Sequence, residues 1–261
     1  MNQFIHNRKK VYISIIFAIL SICMFFLIYK DAKIAGRLNE NVNYLYWLSP
    51  NLVIIQTVNH MLIFLSILSF VIGIIITDVK IKFRNNLKEI FINSFYNLVI
   101  IIFVTFLSEL IMGLKVEEYT PFNMFLHSMT MFIFAIFFMN FWALIGYGLK
   151  LLLKSQVSAL ILGITYQIYE YLYLTKMFPH ISKFLPLSLS RELVVRQFPY
   201  WHPQNTWLSE LNSIAYFANA TSIRDGVVPM VRVIISLLIY IILIFAASLI
   251  NYSTFAPGIS A

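Results

Sequence analysis

Apolar residues dominate this chain in six long runs that are separated by short polar stretches. The six runs lie at roughly residues 11–29, 52–77, 90–114, 122–149, 156–175 and 228–250. A helix needs about 20 mostly apolar residues to cross the hydrocarbon core of a bilayer. The pattern therefore predicts an all-α, polytopic membrane protein with six transmembrane helices, and it makes residues 1–261 a single transmembrane domain.

Composition and charge support this prediction. The residues are 60% hydrophobic and 11% charged, whereas ordinary soluble domains are about 25% charged. The net charge is +8, but the basic residues cluster beside the apolar runs, where anionic lipid headgroups and the positive-inside bias explain them. We therefore expect a lipid bilayer around the chain and no nucleic acid as a partner.

The orientation rests on the first charges of the chain. Arg8, Lys9 and Lys10 precede the first run, which favours a cytoplasmic N-terminus because the positive-inside rule weights short segments and the first helix. Six spans then place the C-terminus in the cytoplasm as well. A raw tally of basic residues is nearly balanced between the two sides, with nine against ten. The count becomes nine against four when the long last connection is left out.

The stretch 78–89 is the longest polar interruption in the first two thirds of the chain. It is short enough to allow one surface helix and nothing larger, so it can contact a partner but has no room for a domain of its own. Under the predicted orientation it faces the cytoplasm. We expect a soluble partner to contact its residues Lys80, Lys82, Phe83, Arg84, Asn85 and Asn86.

Two of the predicted spans contain candidate polar sites. Asn59 and His60 lie inside the second run, where a histidine can relay protons or bind a ligand, although hydrogen bonding between helices is the commoner role. Gln167 and Glu170 are three residues apart and share a helix face in the fifth run. Because Glu170 stands among interfacial tyrosines near the end of that run, we expect it to be solvated at the rim rather than buried.

The third run carries a pair of asparagines. Asn93 and Asn97 are four residues apart and on one face, and they are expected to bond across to another helix.

A helical hairpin is predicted before the last span, at about residues 180–226. A first helix begins at Pro186, with Leu189 and Leu193 on one face and Ser188 or Ser190 as its cap. After a proline-containing turn, a second helix begins near Asn205 and carries Trp207. The hairpin either dips into the outer leaflet against other helices or lies flat on the membrane surface, and the sequence leaves both arrangements open.

Several chemical signatures are missing. No G-x-x-x-x-G-K-[ST] phosphate loop, H-E-x-x-H motif or G-x-S-x-G elbow occurs, and Cys23 is the only cysteine. Glu117 and Glu118 begin the Glu-Glu-x-x-x-Arg motif of one family of intramembrane proteases, but Phe122 stands where that motif needs arginine. We therefore expect a chain that is not itself an enzyme and that binds no cofactor or metal.

The layout as a whole resembles the ABC-2 type permease family, the membrane subunits of ATP-driven exporters. The matching features are the six runs, the short charged stretch 78–89, the tight link from Lys150 to Lys154, and the long broken connection before the last span. The segment Gly146–Ala159, followed by an apolar span and Phe184-Leu-Pro186, is similar to the corresponding part of that family. The chain departs from the family in one respect, since only about ten residues precede the first run.

The resemblance implies a multi-pass protein of a bacterial cell membrane. Its partners would be two copies of a separate ATPase subunit, which binds ATP and Mg²⁺, and a second permease copy or a homologous permease. The stretch 78–89 would be the coupling helix, and the hairpin would close the outer end of the path. The substrate would be an amphipathic or hydrophobic molecule such as a bacteriocin-like peptide, in toxin export or immunity. The path or gate would be lined by Asn59, His60, Gln167, Glu170 and Trp207.

Two other functions stay open on the sequence. One is an intramembrane, protease-like enzyme that works through Glu170 or His60 without any ATPase. The other is an immunity or sensor protein that binds a peptide without transporting it. A neighbouring gene that encodes a phosphate-loop ATPase would favour the exporter.

Overall fold

The computed structural model describes residues 10–27, 61–77, 83–111, 122–174, 177–178, 181, 184–195 and 230–254. These residues form helices and the connections between them. In chain order the helices are α1 Lys10–Leu27, α2 Leu62–Ile75, α3 Phe83–Ile111, α4 Phe122–Leu153, α5 Gln156–Tyr169, α6 Pro186–Val195 and α7 Met230–Thr254. A π-helical turn, Glu170–Leu174, follows α5 directly.

Four of these helices are long and apolar enough to cross a membrane. Their apolar segments are Lys10–Leu27, Phe83–Ser108, Phe132–Leu153 and Val231–Leu249. Helices α2 and α5 are apolar but have only 14 residues each in the described part of the chain. The prediction of an all-α membrane protein is thus confirmed at this level, and six spans stay a prediction.

Large apolar side chains on the outer faces of the helices indicate contact with lipid. On α7, Val231, Ile242, Leu243 and Leu249 are each at least 60% exposed. Water would disfavour so much exposed apolar surface on one helix. Hydrocarbon around the protein removes that penalty.

The described residues fall into two compact units. The first contains α1, the start of α2, α3 from Phe95 onward and α4 as far as Ile136. In this unit the Ser14 hydroxyl of α1 donates a 2.9 Å hydrogen bond to Asn97 of α3, so the prediction of a bond between helices is confirmed for Asn97. The second unit contains Phe64–Ser94, Phe137–Leu193 and α7. There Asn93 donates to the carbonyl of Glu89 in its own helix.

Close packing of α2 on α4 organises the second unit. A Cβ atom on Gly73 would overlap the backbone of Ala143, and one on Gly146 would overlap the backbone of Phe70. Small residues of this kind let membrane helices approach to backbone contact, where dispersion forces hold them. The two helices run in the same direction, because the ends of both meet at Lys150 and Thr77.

Helix α3 returns in the opposite direction along α4. Ile90 packs with Ala143 and Tyr147 of α4 in one buried cluster, while Asn86, one turn earlier in α3, bonds to Tyr147. Residues 83–89 form the first turns of this long helix. The expectation of a separate surface helix over 78–89 is therefore wrong for residues 83–89, because the apolar face of α3 extends to its first turn and packs on α4.

The link between α4 and α5 is as tight as the sequence predicts. Helix α4 ends at Leu153 and α5 begins at Gln156. Lys154 adopts a positive φ of 52°, which breaks the helix. Ser155 then caps α5 by accepting a 3.2 Å hydrogen bond from the backbone N–H of Ser158.

The backbone contact between α2 and α4 predicts a large effect of adding volume at Gly73. We expect Gly73→Leu to destabilise the protein by about 3 kcal/mol or more, since overpacking a close contact forces the backbone apart. Thermal unfolding of the purified chain in detergent measures this. Ala246→Leu adds similar volume on an exposed position of α7 and should leave the unfolding temperature unchanged. Equal effects of the two variants would contradict the packing described above.

Candidate functional site

Glu170 lies completely buried at the start of helix α6 and binds its first backbone N–H groups. Its Oε2 accepts a 3.2 Å hydrogen bond from the backbone N–H of Leu187, and its Oε1 accepts one of 2.9 Å from that of Ser188. The hydroxyl groups of Ser188, at 3.4 Å, and of Tyr166 also donate to this carboxyl group. The side chain is 0% exposed, so the prediction of a solvated rim position is wrong.

The bonds to Glu170 complete the hydrogen bonding at the N-terminus of α6. A helix begins with N–H groups that have no partner inside the helix. Pro186 has no N–H to satisfy, and the N–H of Leu189 reaches the carbonyl of Leu185. The remaining two donors are those of Leu187 and Ser188, and both go to Glu170. The cap therefore comes from the π-helical turn that follows α5, and the prediction of a cap by Ser188 or Ser190 is wrong.

Helix α6 is held at the middle of two candidate membrane spans. The Trp142 indole N–H of α4 donates a 3.0 Å hydrogen bond to the Ser190 hydroxyl, and the Tyr240 hydroxyl of α7 donates one of 2.7 Å to the carbonyl of Phe184. Trp142 is central in Phe132–Leu153, and Tyr240 is central in Val231–Leu249. At 1.5 Å per residue, each lies about 15 Å from the ends of its span.

The burial of α6 bears on the two arrangements that the sequence left open. Residues 186–191 are consecutively buried, as is Leu193, whereas a helix lying on a membrane surface exposes one face to water. Within the described residues, α6 is thus enclosed by protein, as a helix that re-enters a membrane must be. The predicted helix at Pro186 is confirmed as far as Val195, and the second helix with Trp207 lies outside the described residues.

A buried cation accompanies the carboxyl group. Arg191 is 5% exposed, and its guanidinium carbon lies 5.8 Å from the centre of the Tyr171 ring, which is close enough for a cation–π interaction. The guanidinium group of arginine stays protonated in proteins, so this side chain is a cation. The site therefore combines a carboxyl group, a cation and hydroxyl donors in a part of the molecule that excludes water.

Gln167 lies one turn before Glu170 in α5 and is also completely buried. Neither its Oε1 nor its Nε2 has a hydrogen-bond partner. The two side chains that the sequence places on one face of α5 are thus both buried, but only Glu170 is bonded.

A second cluster, the α4-end cluster, consists of Thr77, Asn86, Tyr147, Lys150 and Ser248. The buried Lys150 ammonium group donates to the carbonyl groups of Ile74, at 2.8 Å, and Thr77. These carbonyl groups end α2, where a cation is favoured by the helix dipole. Asn86 donates a 2.9 Å bond to the Tyr147 hydroxyl, which ties the first turn of α3 to the same end of α4.

The last helix joins the α4-end cluster through two contacts. The Ser248 hydroxyl donates a 3.0 Å bond to the carbonyl of Gly148. The Phe245 ring meets those of Phe83 and Tyr147 edge to face, at centroid distances of 5.3 and 5.8 Å. The ends of α2, α4 and α7 and the start of α3 are therefore fastened together.

The structure brings together only some of the residues that the sequence singled out. Phe83, Arg84 and Asn85 are exposed at the start of α3, whereas Asn86 is buried against Tyr147. The candidates that lie outside the described residues are Asn59, His60, Lys80, Lys82 and Trp207. Among the described residues, no three His, Cys, Asp or Glu side chains form a group that could hold a metal ion.

Sequence reasoning missed Lys150 and Trp142. Lys150 was counted as a cytoplasmic charge, and its place in the last turn of α4 suggests a cap for its own helix rather than for α2. Trp142 has no polar neighbour in sequence that indicates a partner 48 residues away. The one local signal for α6 was Pro186, since proline favours the first position of a helix.

The capping bonds predict that removal of the Glu170 carboxyl group loosens α6. Glu170→Leu leaves two buried N–H groups without an acceptor, at about 1–3 kcal/mol each. In a Cys23→Ser background, a cysteine at the buried position Leu193 reports opening of α6 through its rate of maleimide labelling. We expect Glu170→Leu to raise that rate at least about tenfold, as about 1.4 kcal/mol would.

Glu170→Gln is the matched variant for this measurement. It retains one oxygen acceptor and should give an intermediate labelling rate. Labelling of the cysteine at the same rate in all three proteins would show that Glu170 does not hold α6 in place.

The chain was also compared with known proteins. No protein-family model, no characterised protein and no solved structure matches it. Its function is therefore argued from its own residues.

Proposed function

We propose that this chain is the permease subunit of an ATP-driven exporter and moves an amphipathic or hydrophobic substrate, most simply a peptide, out of the cell or its membrane. ATP is hydrolysed by a separate ATPase subunit, present in two copies, and a second permease completes the transporter. The chain spans the membrane six times, with both termini in the cytoplasm.

The observation that carries this proposal is the attachment of the connection between α2 and α3 to the end of α4. Residue Thr77 before that connection is bonded to Lys150, and Asn86 after it is bonded to Tyr147. A partner that displaces the connection therefore also displaces α4, and Ser248 extends the link to α7. An ATPase that docks on the basic stretch 78–89 thus has a mechanical route into the membrane helices.

The re-entrant helix α6 supports the same function. Irregular backbone within a membrane is tolerated where it is enclosed by protein or lines a path, and broken helices of this kind mark substrate sites in many transporters. Helix α6 is bonded to the middle of two candidate spans, and the charged side chains Glu170 and Arg191 are buried there. An enclosed polar element of this kind is suited to close a path against ions while the exporter rests.

Charge reversal in the stretch 78–89 tests the ATPase contact. Lys82→Glu with Arg84→Glu should prevent co-purification with a phosphate-loop ATPase encoded nearby and abolish ATP-dependent export, because an attraction becomes a repulsion. Membrane insertion should be unchanged. Lys154→Glu, another exposed charge reversal on the same predicted side, should leave co-purification intact. A chain that purifies alone, or export unaltered by the double substitution, would contradict the proposal.

Lys150→Met tests whether movement of the connection between α2 and α3 is passed to α4, separately from whether the ATPase binds. The apolar side chain fills a similar volume but leaves the carbonyl groups that end α2 without their donor, at a cost of about 1–3 kcal/mol. We expect the ATPase to bind and hydrolyse ATP while export falls several-fold. Lys154→Met is the control. Equal losses of ATP hydrolysis and export in Lys150→Met would instead indicate that the complex itself is damaged.

A further inference from the structure

Gln167 is a polar side chain that gains nothing from its surroundings in this conformation. Its amide group can donate two hydrogen bonds and accept two, yet it is 0% exposed and makes none. A buried polar group without partners is less favourable than an apolar side chain of the same shape. Glu170, one turn away, shows that the neighbourhood can supply donors, since it accepts three bonds from residues 187–188.

The position of Gln167 relates this side chain to α6. Gly163, Gln167 and Glu170 share one face of α5 because they are separated by four and three residues. At one end of this face Gly163 touches the Phe70 ring of α2, and at the other end Glu170 holds the N-terminus of α6. Gln167 therefore lies where α5 passes from α2 to α6, about one helical turn from a carboxyl group at mid-membrane.

We propose that Gln167 binds a free peptide group of the transported substrate when α6 moves aside. A carboxamide presents an N–H and a C=O in one plane, and these match the N–H and C=O of a peptide group in a pair of hydrogen bonds. The side chain is fully buried in this conformation, so a substrate can reach it only when the packing around it opens. The inference rests on the proposed export function and specifies the chemistry that the path recognises.

This pairing also specifies the conformation of the substrate at that point. Peptide groups inside a helix are already bonded within the helix, so only an extended segment or a chain end can pair with Gln167. The substrate class is therefore a hydrophobic peptide with at least one extended stretch. An amphipathic helix without free peptide groups would pass without this contact.

The probe is acetyl-trileucine amide, which is too short to form a stable helix, together with its analogue methylated on the backbone nitrogens. Peptide concentrations that give half-maximal stimulation of ATP hydrolysis are measured on the complex of the full chain and its ATPase in lipid nanodiscs. Gln167→Met should raise this concentration about tenfold, because it removes the pair of hydrogen bonds between the Gln167 amide and the peptide. Methylation should weaken stimulation of the unaltered complex by about the same factor and should not weaken that of Gln167→Met further.

The matched control is Ser94→Ala, since Ser94 of α3 is also buried and its hydroxyl has no hydrogen-bond partner. Both variants should raise the unfolding temperature, but Ser94→Ala should leave the half-maximal peptide concentration within about twofold. The methylated probe examines the same pairing on the unaltered protein, so the result does not depend on how well a variant folds.

Each outcome separates this inference from the proposed function. Equal stimulation of the unaltered and Gln167→Met complexes by acetyl-trileucine amide would overturn the role of Gln167 and leave the exporter intact. An unaltered complex that hydrolyses ATP but responds equally to the methylated and unmethylated peptides, or to neither, would also overturn it. Failure of the chain to bind any ATPase would overturn the proposed function itself.

Discussion

The N–H groups that begin α6 belong to residues buried in protein, away from solvent that could accept their hydrogen bonds. An unsatisfied backbone donor in that environment costs several kcal/mol. The Glu170 carboxyl group takes the place of water by accepting from Leu187 and Ser188. This constraint explains why a carboxyl group lies in an apolar unit and why the turn that follows α5 lies beside α6.

The second unit is fastened at two levels by different kinds of contact. At the middle of two candidate spans, Trp142 and Tyr240 attach Ser190 and Phe184 to α4 and α7 through single hydrogen bonds. At the end of α4, Lys150 and Tyr147 bind α2 and α3. Helix α4 takes part at both levels, and Trp142 and Lys150 are about 12 Å apart along it. Because one helix joins the two levels, a displacement of α4 at one level also displaces it at the other.

Gln167 of α5 and Glu170, three residues later, have opposite energetic roles. Glu170 is fully bonded and stabilises the closed arrangement of α6, whereas Gln167 is buried without a partner and favours any arrangement that offers one. One polar group therefore stabilises the observed packing, and another, one helical turn away, opposes it.

The sequence by itself determined the all-helical membrane class, the presence of a short link between α4 and α5 and the start of a helix at Pro186, because hydropathy, chain reversal and proline chemistry are local properties. It also placed Gln167 and Glu170 on one face. Only the tertiary structure decided that Glu170 caps α6, that Lys150 caps α2 rather than α4, and that α3 begins at Phe83. Each of these depends on a partner between 17 and 76 residues away. The order of residues along the chain does not show which distant backbone groups lack a hydrogen bond after the helices have packed.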